Sequence, residues 1–365
     1  MVSQSNVASE ASGTLATLMA EFKARGFYAK PTRKILTQLA VHFLTAMGGL
    51  ALLLLMDGPW FAGLGLIVLS TGTLGLATNT HTSAHFATSN RRWLDRMLTY
   101  LGFPLFSGVG ATYWWHKHNV LHHSGPNVIG MDDDILLTPW FAFSQADIVG
   151  RGPLGRAYYR VQWLALPLAV VTIGIQLQVY SFLHFYAVWK EKGRWANPHR
   201  LDLTLLVLHW LIWVGLPMAF LPPAHVLLFT VLRLVMMGGV LFAVFAPGHF
   251  PAEAAVVQQE GRGNDQVLLQ TSNCLNFRTG FLGAWLCSGL QYHVEHHLFP
   301  GISHVHYPQM SGLVANFCER NGYPYRTLGW GEALWKSAWN FVQPKEITAR
   351  LEPKPAPAPA LPGRP

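Results

Sequence analysis

Residues 36–56, 60–79, 203–221 and 226–245 are four long apolar runs whose only charge is Arg233. Each is close to the ~20 residues that a helix needs to cross a bilayer. They come in pairs. Only Asp57, Gly58 and Pro59 separate the first two, and a short turn containing Pro222 and Pro223 separates the second two. Backbone amides in lipid must be satisfied within the segment, so such runs predict helices, here two tight helical hairpins. The rest of the composition agrees with lipid as a solvent. Charged residues are 12% of the chain, about half the share in soluble domains.

The hairpin turns lack Lys and Arg, whereas the segments outside them hold nearly all the basic residues. That asymmetry places those segments and both termini on the cytoplasmic side. The net charge of +8 suits an anionic membrane surface. No nucleic-acid-binding module is visible, so nucleic acid is not an expected partner. Residues 163–185 form a fifth apolar stretch, flanked by Arg151, Arg156 and Arg160 on one side and Lys190, Lys192 and Arg194 on the other. A crossing there would put the histidine-rich segments before and after it on opposite faces. It is therefore expected to be interfacial or re-entrant, kinked near Pro167, with residues 97–115 as a second interfacial piece. The expected fold is an all-α integral membrane protein with four transmembrane helices in two hairpins under a cytoplasmic helical cap. Residues 1–35 are expected to be a cytoplasmic lead-in and 36–345 the membrane domain. Residues 346–365 are expected to form a disordered Pro/Ala-rich tail.

Three cysteines, Cys274, Cys287 and Cys318, form no CxxC pair and are expected to be buried and inert. Histidine is different. Three windows, HTSAH from His81, HNVLHH from His118 and HVEHH from His293, hold eight of the 17 histidines. Neighbouring imidazoles in a core would each need a polar partner, so density alone argues for metal. On a helix, residues four apart share a face, so His81/His85, His118/His122 and His293/His297 are expected to point together. The adjacent pairs His122/His123 and His296/His297 diverge by about 100° and can serve two different metals. Imidazole suits iron, zinc, copper and nickel alike. Glu295 is expected to support a ligand or to face away, and Asp132, Asp133 and Asp134 to form a solvated loop. Arg233, His42 and His209 lie inside crossings, where a lipid contact for the arginine and haem for the histidines compete with ordinary buried pairing.

The three boxes, in this order and between hairpins, resemble the membrane fatty-acid desaturase family over roughly residues 37–324. HNVLHH followed by SGPNVIGMDDDI, and QYHVEHHLFP, are most similar to its front-end, acyl-lipid or acyl-CoA branch. The resemblance implies two iron ions per chain with His81, His85, His118, His122, His123, His293, His296 and His297 as ligands. It also implies O2 as co-substrate, a long-chain acyl lipid or acyl-CoA as substrate, and insertion of a double bond. Thr82 stands where the family usually has an acid in its first box, and His293 where front-end members usually have glutamine. No HPGG haem motif is present, so a separate ferredoxin or cytochrome b5 type donor is expected. Related desaturases carry a histidine between the last crossing and the third box, which makes His249 the expected ninth ligand, aimed inward by a sharp turn at Pro247 and Gly248. Hydroxylation or ketolation by the same centre, and a non-catalytic membrane metal-binding protein, are the competing readings.

Overall fold

The computed structural model describes residues 13–353. Helix α1 (Leu15–Ala24) leads into a helical hairpin, α2 (Thr32–Leu55) and α3 (Pro59–Ala84). The turn between them rests on Gly58 at φ 107°, a conformation that glycine adopts without steric cost. The two helices touch backbone to backbone. A Cβ on Gly49 would lie 2.2 Å from the Leu69 nitrogen, so only glycine permits this approach. Of the long apolar helices α3 is the central one, with 61% of its apolar window buried.

Beyond α3, α4 (Arg92–Tyr100) continues through a π-helical segment, Leu101–Ser107, to Gly108. Helix α5 (Ala111–Trp114) then widens into a π-helical turn over Trp115–His122. After a loop come α6 (Pro153–Val161), α7 (Leu166–Lys192) and α8 (Asn197–Trp210), the last prolonged through Leu211–Gly215 and Leu216–Met218. Helix α9 (Pro223–His249) returns and packs on α7.

Five helical segments are long and apolar enough to cross a membrane, against the four expected. The additional one includes α7. It is a continuous helix in which Pro167 occupies the first turn, where proline lacks nothing the helix needs. A 3-10 turn over Gln162–Ala165 joins it to α6. In four of the five segments, 17–22% of the apolar window is buried. Leu44, Leu55, Leu183, Tyr186 and Leu228 stand outward on them. Such a belt of exposed apolar side chains requires lipid, and the chain is a multi-pass membrane protein.

The remaining elements form the cap: α10 (Gln266–Asn273), α11 (Phe281–Cys287), α12 (His293–Leu298), α13 (Tyr307–Arg320) and α14 (Trp330–Trp339). Strand β1 (Asn276–Arg278) pairs in parallel with β2 (Thr327–Gly329), Phe277 opposite Leu328. This short sheet departs from the all-α expectation. A core of Phe22, Phe27, Val294, Phe299, Met310 and Phe317 ties α1 to α12 and α13. Residues 346–351 also depart from expectation. Thr348 donates its N–H to the Val256 carbonyl and Leu351 to that of Gly261, and Leu351 is buried. The first segment of the expected tail is thus packed. The rest of the Pro/Ala-rich stretch, from 354 onward, lies outside the described residues.

Candidate metal centre

The nine histidines singled out in the sequence converge on one place, at the junction of the apolar helices and the cap. Helix α3 brings His81 in its last turn and His85 at its C-cap. The π-helical turn after α5 brings His118, His122 and His123, α9 ends on His249, and α12 carries His293, His296 and His297. The α3 terminus is clamped in place because the Ala84 carbonyl accepts from Trp115 Nε1 at 3.1 Å and Asn119 Nδ2 at 2.9 Å.

The ring nitrogens fall into two groups, each within 4.8 Å: His81, His85, His118, His123 and His296 in the first, His122, His249, His293 and His297 in the second. Both adjacent pairs divide between the groups, as a ~100° step on a helix requires. His118 and His122 do not share a group, contrary to their i,i+4 spacing. The helix is π-wound here, and His123 N–H bonds the His118 carbonyl five residues back at 3.0 Å. That wider turn moves the shared face to i+5, so His118 sits with His123, Nε2 to Nε2 at 3.2 Å. Pro247 and Gly248 make no sharp turn. They lie inside α9, and Gly248 instead admits the His293 ring, which would lie 2.3 Å from a Cβ there.

In the second group every Nδ1 faces an oxygen. His122 meets Asp132 Oδ2 at 3.0 Å, His249 the Asn273 carbonyl at 3.2 Å, His293 the Leu290 carbonyl at 3.1 Å and His297 Gln270 Oε1 at 3.0 Å. Each Nδ1 therefore carries the ring proton, and the Nε2 atoms turn bare lone pairs toward one another. His249 Nε2 lies 3.1 Å from His122 Nε2 and 2.7 Å from His293 Nε2, and His297 Nε2 is buried without a partner. Outside His122, protonation does not relieve the crowding. Burial, helped by neighbouring imidazoles, holds His118, His123, His296 and His297 well below the usual histidine range and pushes His85 and His293 down to about 3. A ring of converging neutral nitrogen donors fits a divalent transition metal, and both groups are compatible with iron.

His122 differs. Burial opposes its charge, but the Asp132 carboxylate outweighs this and raises its affinity for a proton. Asp132 is not a solvated loop residue. It is buried, and its Oδ2 also accepts the Asn127 N–H at 2.8 Å. Asp134 is paired with Lys117. His122, Asp132 and Asp134 could themselves hold a cation, but a carboxylate on the far nitrogen of a ligand is the common way to fix its tautomer. Gln270 supports both groups, since it receives His297 and donates Nε2 to the His123 carbonyl at 2.9 Å. Lys345 is buried and donates to the His249 and Ala254 carbonyls at 2.7 Å. Asp132, Gln270 and Lys345 carry no spacing signal in the sequence; only HNVLHH followed by the acidic run hinted at the first.

Glu295 faces away, accepting from Tyr325 Oη at 2.6 Å and Asn276 Nδ2 at 2.9 Å. His116 is exposed, and His306 reaches the Ala29 carbonyl. His209 bonds the Leu105 carbonyl and lies 3.3 Å from Arg233, which stacks on Trp213. His42 packs on Trp285. The three cysteines are free and buried.

The profile of the fatty acid desaturase family matches residues 58–329. Delta(8)-fatty-acid desaturase 2 of Arabidopsis thaliana is 27% identical over 87% of this chain and 72% of its own. The sn-1 linoleoyl-lipid 6-desaturase of Synechocystis is 28% identical over 77% of this chain and 79% of its own. A Delta(5) fatty acid desaturase of Caenorhabditis elegans is 26% identical, with 75% of this chain matched to 62% of the relative.

Proposed function

The chain belongs to the fatty acid desaturase family, and on that premise we propose that it inserts a double bond into a long acyl chain of a lipid or acyl-CoA. The observation that carries the proposal is the pair of imidazole groups, joined through His122/His123 and His296/His297. In this reading the first group holds one iron and the second another, with all nine histidines, His249 included, as ligands. Iron supplies the strong one-electron oxidising chemistry that side chains lack. The balance is –CH2–CH2– plus O2, two electrons and two protons to –CH=CH– plus two waters. The electrons come from a separate donor of ferredoxin or cytochrome b5 type.

The protein's own part is to place the chain and exclude water. Trp114 stacks on His118 with ring centroids 4.7 Å apart, Phe245 lies 5.9 Å from His81, and the buried Tyr307 ring stands beside His296. Four crossings and a cytoplasmic centre complete the reading. It is supported by the charge pattern around α7, where Arg151, Arg156 and Arg160 precede the apolar stretch and Lys190, Lys192 and Arg194 follow it, so that both flanks carry the basic residues expected of one, cytoplasmic, side.

The test is lipid analysis of a host expressing the chain, with double-bond positions read by mass spectrometry, beside metal analysis of the purified protein. New unsaturated acyl chains and about two irons per chain are expected. Hydroxylated or oxo products in their place would overturn the desaturation.

A further inference from the structure

A cavity of about 180 Å³ lies between the start of α2, helix α11 and residues 304–308, with Lys34, His42, Ala284, Gln291 and His304 in its wall. It adjoins a gap of about 10 Å³ that reaches His81, His85 and His296. Ser288, Gly289 and His304 belong to both walls, so one layer of residues separates the cavity from the first histidine group. A whole-ligand pocket usually measures ~300–1,000 Å³. This one has room for an end of a long substrate.

Its polar atoms are arranged for a ligand. His304 is fixed at both nitrogens, Nδ1 to Thr82 Oγ1 at 2.5 Å and Nε2 to Gln38 Oε1 at 3.0 Å. His42 and Gln291 are buried, yet His42 Nδ1 and Gln291 Oε1 have no partner. The His42 Nδ1 edge is pressed on α3, where a Cβ on Gly75 would lie 1.9 Å away, and the ring packs at a tilt on Trp285 with centroids 4.4 Å apart. A buried N–H without a partner is rarer than a buried bare acceptor, so the proton belongs on Nε2, the edge left for the cavity. The Gln291 carboxamide can present either its oxygen or its NH2, since the two ends are interchangeable by a flip. Both residues can therefore donate to a carbonyl. Lys34 is exposed at the rim and pairs with no acid among the described residues. On α11, the helix that supplies Ala284 and Trp285 to the wall, Phe281 is 85% exposed and Leu282 74%.

We propose that this cavity seats the ester end of a membrane phospholipid, with His42 and Gln291 on the acyl carbonyl, Lys34 on the phosphate and the chain threading past His304 to the first histidine group. The assignment rests on the desaturase reading and names its substrate class. A thioester could use the same donors, and the exposed Phe281 and Leu282 at the head of the wall-forming helix α11 are what favour a substrate delivered from the bilayer.

The full-length, iron-loaded protein is placed in phosphatidylcholine nanodiscs containing a minor fraction of phosphatidylcholine with a diazirine next to the ester carbonyl. After irradiation, labelled peptides are mapped by mass spectrometry. Label is expected within residues 34–42 and 284–291. Ala284→Phe, which fills the cavity from α11, and Gln291→Leu should each lower that label about tenfold, the equivalent of 1.4 kcal/mol, with iron content unchanged. Excess palmitoyl-CoA should not compete. Label confined to outward positions such as Phe43 and Leu44, or insensitive to both substitutions, overturns the site. Loss of label to palmitoyl-CoA overturns the phospholipid as its source. Lipid profiling of the host keeps the two readings apart: absence of new double bonds with this labelling intact removes the desaturase reading and leaves the binding site.

Discussion

The two histidine groups are built to different standards. In the second, all four Nδ1 atoms are held by Asp132, Asn273, Leu290 or Gln270, and every ring is buried. In the first, His81 Nδ1 and His123 Nδ1 are buried without a partner, and His85 and His123 are half-exposed. The first group also adjoins the gap and cavity, whereas the second is sealed beneath α10 and the last turn of α9. Ligands fixed in tautomer and direction favour retention of a metal. Looser ones beside an opening favour adjustment to substrate. The second site should therefore govern how firmly metal is kept, and the first how well substrate is handled.

The most severe test is His249→Ala beside His116→Ala in matched membrane preparations. The first should lose iron and more than the ~100-fold that loss of an outer partner costs; the second should keep most of both. Full iron occupancy and turnover in His249→Ala would close the second group with three histidines and break the contrast.

Next come Asp132→Asn and Gln270→Leu, which leave all nine histidines in place but remove what orients His122 and His297. Each should weaken iron retention by about 10–100-fold, read as iron remaining after dialysis against a chelator. Equal losses from altering His85 surroundings would erase the proposed asymmetry.

Truncation sharpens it from a distance. Ending the chain after residue 353 should leave thermal stability and turnover unchanged. Ending it after 345 removes the buried Leu351 side chain, worth about 1.5–3 kcal/mol, and should lower the melting temperature in detergent and loosen the His249 side first.

The smallest effect is expected from Thr82→Val, which deletes the hydroxyl that meets His304. A loss near 1 kcal/mol should appear as a several-fold fall in turnover with iron content unchanged. Iron loss here would show that Thr82 serves the metal rather than the substrate side.

Much of this was legible in the chain because periodicity and density are local signals. The hairpins follow from long apolar runs with Arg233 as their only charge, and convergence of nine histidines from box spacing and family resemblance. Their partition was legible only in part. It depends on a π-helical turn that HNVLHH does not announce, so His118 took His123 rather than His122 for its neighbour. The supports were hidden for a related reason. Gln270 and Asn273 sit on a short polar helix without a motif, and their value lies in contacts to residues far along the sequence. The charge pattern around residues 163–185 argued against a crossing, yet it gave no warning that α7 would be a long unbroken helix.

The lysine behind His249 sets an order on biosynthesis. Lys345 holds the carbonyl of a residue made 96 positions earlier, and β2 reaches back to β1 from late in the chain. While the ribosome is still working through the last segment, the apolar helices can already be threaded into the bilayer, but the His249 and Ala254 carbonyls still lack the buried ammonium group that Lys345 brings. Chains emerge N-terminus first, at about 5–20 residues per second, so insertion and maturation are separated in time. A messenger truncated before the Lys345 codon is expected to yield a protein that is integrated and full of histidines yet weakened at the second group, a lesion that assays of membrane insertion would miss.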